Sequence, residues 1–558
     1  MANRHMNSSL AGQPAPASIL IDVNQLLSAY YTQIPDPRNL GQAVVFGTSG
    51  HRGCSLDKSF NESHILAICQ AICDYRKIHG ISGPLFLGTD THALSAPATT
   101  TALEVMLANG VEVMIAANHE FTPTPAVSLA IIKYNRHRRA RLADGIVITP
   151  SHNPPKYGGL KYNLSNGGPA NTTATVWIEN RANLILKGQL RDVIRVSMAD
   201  AGKVNNIHDY DFLNNYVNEL DQVINMNVIR EANLHIGVDP MGGAGVHYWS
   251  KIAERYDLNL TVTNDLVDPT FSFMTVDRDG QIRMDPSSSY AMASLIKMKD
   301  QFDIAFACDT DHDRHGIVTA GSGLLPSNHY LTVAVDYLFQ HRPLWNKRLQ
   351  IGKSVVTTQL IDRVAKRLQR QVLDMPVGFK WFATGLCNGT MGFAGEESAG
   401  ASFLRANGRV WTTDKDGMAA ALLSAEIRAT TGKDPGDLFR ELTGEFGTPF
   451  EDRVEAPANA AQRTFLTSYD CEQLRHMPIA SERIVNVLSI APGNGMPIDG
   501  FKVVLDDSWL AIRPSGTEDI YKIYAETFKG NAHLKKLTVD GKWIVDEIFR
   551  TENESQLA

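Results

Sequence analysis

From about residue 60 the chain switches, round after round, between short β-branched runs and stretches with helical spacing, and any fold must accommodate that alternation. Segments 84–90, 111–116 and 145–149 read as strands. Asn61 caps a helix running towards Tyr75, and helices over 98–109 and 125–134 lie between the strands. Strands joined by crossover helices form a partly parallel sheet layered with helices. The pattern restarts near residue 205, with strands at 234–239, 258–262 and 302–307 and helices ending at Tyr256 and spanning 287–299. A third round has helices at 329–340, 359–368 and 416–430, with strands near 354–356 and 392–394. The end differs: three close strands at 501–505, 509–513 and 521–525, then a helix over 531–549. The expected architecture is three similar mixed α/β domains plus a smaller C-terminal α+β domain. The divisions fall at 1–40 (arm and lead-in), 41–205, 206–325, 326–450 and 451–558. Residues 450–495 read as a linker region and the first ~18 as a flexible arm. No residue-level repeat is visible among the first three domains.

The net charge of −7, without long runs of one sign, argues against nucleic acid or an anionic membrane as the main partner. It leaves anionic small molecules open, since local clusters decide those. No run of about 18 apolar residues predicts a membrane span, and the N-terminus lacks the apolar core of a signal peptide. Six scattered cysteines, of which Cys69 and Cys73 share a helix face without further zinc ligands, point to reduced thiols and a cytoplasmic location.

Several loops carry chemistry. "TPSHNPP" (149–155) follows a core strand with Ser151, His152 and Asn153 between prolines, and read alone it is equally a rigid turn or a reactive loop. "CDTDHDRHG" (308–316) alternates Asp309, Asp311 and Asp313, whose mutual repulsion a hard divalent cation would relieve. It is not an EF-hand, because Arg314 replaces the glycine and Ala320 the final glutamate. With oxygen ligands alone, Mg²⁺ is favoured over zinc or copper; the plainer reading is an acidic loop with Arg314 as counter-ion. "GEESAGAS" (395–402) offers Glu396 and Ser398 to sugar hydroxyls, or else a helix N-terminus. "RPSGTEDIYK" (513–522) gathers Arg513, Ser515, Gly516 and Thr517, with Lys522 nearby, into a phosphate clamp or an ordinary hairpin turn. "GTSGHRG" (47–53), with Thr48, Ser49 and Arg52, is of similar make but is no Walker A loop. No nucleotide is implied. The loops at 149, 309, 395 and 513 fall one per domain, and their convergence in a central cleft implies phosphoryl transfer.

These motifs, in this order over residues 40–550, resemble those of the α-D-phosphohexomutases, most closely the bacterial phosphoglucomutase branch. The resemblance implies a phosphoserine at Ser151 and Mg²⁺ held by Ser151, Asp309, Asp311 and Asp313. It implies reversible conversion of α-D-glucose 1-phosphate and glucose 6-phosphate through glucose 1,6-bisphosphate, which acts as intermediate and activator. Lys161 matches an acid/base lysine, Arg314 a stabiliser of transferring charge, and Arg52 and His152 supports of the phosphoserine. Arg513, Ser515, Gly516, Thr517 and Lys522, with Thr48 and Ser49, match phosphate- and substrate-binding positions, and Glu396 and Ser398 the sugar ligands. "PVGFKWF" (376–382), with Gly378, Phe379 and Lys380, matches the specificity loop and favours glucose. One departure stands out: Ala399-Gly400-Ala401 occupy the place where phosphomannomutase-type members carry a catalytic histidine, and Lys415 in "TDKDG" is the candidate instead. The partners expected are phosphosugars, with the chain a monomer or homodimer and its fourth domain rotating. A mutase for mannose or glucosamine phosphates, a Mg²⁺-dependent phosphatase and a silent binding protein are the rival readings.

Overall fold

Each of the first three rounds of alternation closes into its own sheet, and the three sheets share one strand order. The computed structural model describes residues 8–47, 49–201, 206–515 and 519–557. The first sheet contains β1 (His51–Cys54), β2 (Leu85–Thr89), β3 (Val113–Ala116), β4 (Asp144–Ile148), β5 (Tyr157–Asn163) and β6 (Ile207–Tyr210), in the order β1-β5-β4-β2-β3-β6. The second has β7 (Ile236–Asp239), β8 (Leu260–Val262), β9 (Ile304–Cys308), β10 (His315–Thr319) and β11 (Gly323–Leu324), ordered β11-β10-β9-β7-β8. The third has β12 (Gln350–Ser354), β13 (Val372–Met375), β14 (Met391–Glu396) and β15 (Gly400–Phe403), ordered β13-β12-β14-β15.

In each, three successive strands run parallel (β6 adds a fourth to the first sheet), and a tight connection after the third returns the chain antiparallel along its outer side: β4 to β5, β9 to β10, β14 to β15. Those returns are the TPSHNPP, aspartate and GEES loops. Each holds one non-glycine residue in the left-handed region, Ser151 (φ 57), His312 (φ 58) and Ala399 (φ 69), as a reversal this sharp requires. The repeat invisible residue by residue is therefore topological.

Local sequence sets the supporting helices. His64 Nδ1 accepts from the Asn61 N–H at 3.1 Å to open Glu62–Ile78, and Asp416 Oδ1 accepts from the Ala419 N–H at 2.9 Å to open Gly417–Thr431. One apolar core runs through the first three domains, from Phe86 and Trp249 to Trp411 and the Gly417–Thr431 helix. The fourth domain has its own core under an antiparallel sheet of β16 (Phe450–Pro457), β17 (Ile484–Ile490), β18 (Pro497–Leu505), β19 (Ser508–Pro514) and β20 (Ile520–Thr527), ordered β16-β20-β19-β18-β17. It meets the third domain through Val355 and Val356 against Trp509 and Tyr524, and Lys502 Nζ donates to the Val355 carbonyl at 2.6 Å.

Three expectations are corrected. Residues 450–495 are not a linker: they supply both edge strands of the fourth sheet and the helix Ala460–Ser468. Edge strands need only one buried face, and β16 keeps charged side chains outward, which blurs the alternation. Residues 8–18 of the expected flexible arm are held by pairing, and residues 1–7 lie outside the described residues. Gly12 N–H donates to the Val276 carbonyl at 2.8 Å, Val276 N–H to that of Gln13 at 2.9 Å, and Pro14 bridges Thr275. Pairing with a loop so distant in sequence leaves no local periodicity. The helix expected over 287–299 shortens to Ala293–Lys297. Among the described residues no helix is long and apolar enough to cross a membrane, and all six cysteines are free, five of them buried.

Candidate active site

The first two return loops interlock. Thr310 Oγ1 donates to the Ser151 carbonyl at 2.6 Å, Thr124 N–H donates to the Asp311 carbonyl at 2.9 Å, and the Thr124 hydroxyl binds the Asp311 carboxylate. Ser151, 1% exposed, points its hydroxyl at Asp309, with Oγ donating to Oδ2 at 2.5 Å. The other oxygen of Asp309 accepts from the N–H groups of Asp313 (3.1 Å) and Arg314 (3.0 Å). His152 Nδ1 lies 3.4 Å from Ser151 Oγ. Arg52 Nη1 donates to Asn153 Oδ1 at 2.7 Å.

Asp309, Asp311 and Asp313 are fully buried, and each presents an oxygen within 4.8 Å of the others. Burial, then the charges of Asp311 and Asp313, push the Asp309 carboxyl well above its ordinary range. Asp313 goes the other way: burial opposes ionisation, but Lys161, Lys415 and Arg314 outweigh it and hold the carboxyl well below its usual value. Lys161 Nζ donates to Asp311 Oδ2 at 2.5 Å and Asp313 Oδ2 at 2.8 Å, and Lys415 Nζ lies 3.0 Å from Asp313 Oδ2. Oδ1 of Asp311 and of Asp313 are buried without a hydrogen-bond partner. Unpartnered hard oxygens beside a third carboxylate and a serine hydroxyl are a donor set that suits a small divalent cation. Burial, and then Arg314, push the His152 imidazole far below its ordinary value, so it faces Ser151 neutral.

The third return loop closes over this centre: His315 N–H donates to the Ala399 carbonyl at 3.1 Å, and Arg314 bridges Gly400. Gly400 is there for space. A Cβ on it would stand 2.2 Å from Lys415 Cδ, so only glycine lets that lysine thread through to Asp313. Glu396 is buried and accepts from the Gly378 N–H at 2.7 Å; burial, with Glu397 adding, raises its carboxyl to about 7 against the pull of Lys415. Ser398 sits half-buried at the tip of the turn. The Phe379 ring packs in the core with Phe382 and Met391, whereas Lys380 is half-buried and faces Asp499 of the fourth domain.

In the fourth domain Arg513 and Lys522 are register partners on β19 and β20, and both are half-buried. Arg513 Nε donates to the Ile498 carbonyl at 2.8 Å, and Ser515 N–H to that of Ile520 at 2.9 Å. Ser49 lines a cavity with Gly50, Lys161, Asn163 and Asp414, at the back of the two-lysine cluster. Thr48, Gly516 and Thr517 lie outside the described residues.

Sequence reading missed several participants. Asp414 takes the Asn163 side-chain amide at 2.9 Å beside both lysines. Asp285 offsets the charge of Arg314 and faces His152, and its carboxyl is held below its usual range, against burial, by His152, Arg314 and hydrogen bonds from Ser287. Arg453, in the supposed linker, faces Glu397 and Asp285. Asp90 and His92 stand behind the serine loop. Of these, "GTDTH" (88–92) gave a signal as a further polar run leaving a core strand, and Asp414 lay in "TDKDG" beside Lys415.

A serine hydroxyl, three converging carboxylates and two lysines meet at one point, on three sheets of the same topology, the kinds of group that metal-assisted phosphoryl transfer uses. Comparison with known proteins places the chain more closely. Family models described as phosphoglucomutase/phosphomannomutase α/β/α domains I, II and III match residues 43–188, 214–322 and 326–446, and the C-terminal domain matches 474–545. A phosphoglucomutase of Komagataeibacter xylinus is 54% identical over 542 residues, covering 97% of this chain and 98% of that protein. The chain belongs to the phosphoglucomutase/phosphomannomutase family. Two solved structures share the fold at low identity. The Paramecium phosphoglucomutase parafusin, in an open form, has a TM-score of 0.71 and 19% identity over 92% of this chain and 96% of that one. An N-acetylphosphoglucosamine mutase of Aspergillus fumigatus, in complex with GlcNAc-6P and magnesium, has a TM-score of 0.53 and 14% identity over 96% of this chain and 99% of that one.

Proposed function

We propose that the chain is a phosphoglucomutase that carries a phosphoryl group on Ser151 and interconverts α-D-glucose 1-phosphate and glucose 6-phosphate through glucose 1,6-bisphosphate. The observation that carries the proposal is Ser151 Oγ at 2.5 Å from Asp309, within a buried cluster of three carboxylates. Ser151, Asp309, Asp311 and Asp313 would hold Mg²⁺. When bound, the ion would supply electrophilic stabilisation of charge on the transferring group. The Aspergillus mutase that shares the fold is in complex with GlcNAc-6P and magnesium.

The chain's own groups account for the rest. A sugar hydroxyl attacking a phosphoryl group on Ser151 must lose a proton as its O–P bond forms, while the bond to Ser151 Oγ breaks and leaves the oxygen on the serine. Lys161, kept charged against burial by Asp311 and Asp313, is the proton donor to the departing oxygen in one direction, while the attacking hydroxyl gives its proton to the carboxylate–lysine cluster, and Lys415, entering over Gly400, is its counterpart. Arg314 and Arg52 bring positive charge to the serine loop, and His152, kept neutral by burial, stands beside the Ser151 oxygen without adding charge. Glu396 and Ser398 bind sugar hydroxyls. Arg513, Ser515, Gly516, Thr517 and Lys522 grip the phosphate that is not reacting, which changes end when the bisphosphate turns round.

A coupled assay with Mg²⁺ and a catalytic amount of glucose 1,6-bisphosphate tests the reading. Turnover of glucose 1-phosphate should exceed that of mannose 1-phosphate and glucosamine 1-phosphate, with no steady release of inorganic phosphate. A clear preference for another sugar, or continuous phosphate release, would overturn it.

A further inference from the structure

Ser151 holds a backbone conformation that its own Cβ disfavours. Its φ of 57° lies in the left-handed region, and such a residue persists only when its surroundings over-determine it. Those surroundings begin at the C-terminal end of β2. Asp90 is buried there, 2% exposed. Its Oδ1 accepts from the His92 N–H (3.0 Å) and Ser95 Oγ (2.5 Å), and its Oδ2 from Thr149 Oγ1 (2.6 Å) and His92 Nδ1 (2.9 Å). Thr149 Oγ1, its hydrogen given to Asp90, accepts from the Ser151 N–H at 2.8 Å. Beyond the serine, His92 Nε2 donates to the Asn153 carbonyl at 3.1 Å. One Asp–His pair therefore anchors the loop before, at and after the nucleophile. Burial pushes the Asp90 carboxyl up, but His92, Ser95 and Thr149 outweigh it and keep the carboxyl below its usual range, as four donors require of an ionised acceptor. Nothing in this cluster belongs to the aspartate loop or the phosphate clamp.

We propose that Asp90 and His92 are positioning residues for phosphoryl transfer, locking the Ser151 backbone in the left-handed conformation so that Oγ stays in line with the transferring group. The inference rests on the reading of Ser151 as the phosphoryl carrier. Misplacing a reacting atom by about 1 Å costs about a hundredfold in rate, so the lock should show in kcat and not in substrate binding.

The test compares five variants in the coupled assay, with thermal unfolding measured alongside. Thr149→Val keeps the side chain's shape and cuts the relay: kcat should fall about a hundredfold while KM for glucose 1-phosphate stays within about threefold. Thr149→Ser restores the hydroxyl and should recover kcat to within about threefold. His92→Phe keeps the ring's bulk, removes both anchors, and should repeat the kcat loss with KM kept. Ser95→Ala takes a bond from the same carboxylate without touching the loop, so it should lower Tm and leave kcat unchanged. Ser151→Ala should be inactive. Normal kcat in Thr149→Val or in His92→Phe overturns the lock while the phosphoserine reading stands. Equal kcat loss in Ser95→Ala and Thr149→Val overturns it too, because the effect would then be general destabilisation. Activity in Ser151→Ala overturns both readings together.

Discussion

Ser151 and Arg513 sit at opposite ends of the proposed reaction and are held in opposite ways. Ser151 is 1% exposed, strained to φ 57 and bonded from the end of β4 and from the aspartate loop at once. Arg513 is half-buried on an antiparallel hairpin, with its Nε on one backbone carbonyl of its own sheet. A group that must meet a phosphorus atom in line gains from being locked. A group that binds a phosphate and then lets product leave gains from exposure, and from a domain that meets the others over a separate apolar contact. The contrast also explains why three sheets share a topology and the fourth does not. The tight return after a buried parallel strand delivers a buried loop to one point, whereas the antiparallel hairpin carries Arg513 and Lys522 half-buried.

The largest expected effect breaks the locked side. Asp309→Asn removes the carboxylate that takes the Ser151 hydroxyl and leaves two unbalanced neighbours, so kcat should fall by about a thousandfold or more. Isothermal titration should also show weakened Mg²⁺ binding. Arg513→Ala probes the clamp: loss of a charge-assisted contact should raise KM for glucose 1-phosphate by about ten- to a hundredfold with kcat within a few-fold. A kcat collapse in that variant would erase the contrast between the two regions.

The smallest effect concerns stability. The folded Glu396 carboxyl titrates near 7 against an ordinary 4.5. A raised folded value means that this group's contribution to stability is full below 4.5 and is lost as pH rises through about 7. Glu396→Gln should therefore match the wild type at acidic pH and exceed it at pH ~8 by up to roughly 3 kcal/mol. Denaturant unfolding at the two pH values checks the sign.

Much of this was legible in the sequence because buried parallel strands are apolar throughout and their loops are conspicuous by contrast. "GIVITPSHNPP" and "IAFACDTDHDR" each show a core strand ending in residues no core would hold. The edge strands were hidden because one face of each meets water, where β16 carries charge and β17 mixes Asn486 and Ser489 with exposed Val485 and Ile490. The return strands β5, β10 and β15 were hidden because glycine and polar residues interrupt their apolar runs. Asp90, Asp285 and Asp414 are single carboxylates whose partners lie far away in sequence, so only the fold reveals what each one faces. Gly400 carried meaning only once Lys415 was seen passing over it.

The central claim is that Ser151 carries the phosphoryl group. Incubation with glucose 1,6-bisphosphate labelled in its phosphates, followed by digestion and mass spectrometry, tests it directly. Label should appear on the peptide spanning 145–163, at Ser151, and leave on a chase with unlabelled glucose 1-phosphate at a rate that matches turnover. Full mutase activity with an unlabelled Ser151 peptide would contradict the account.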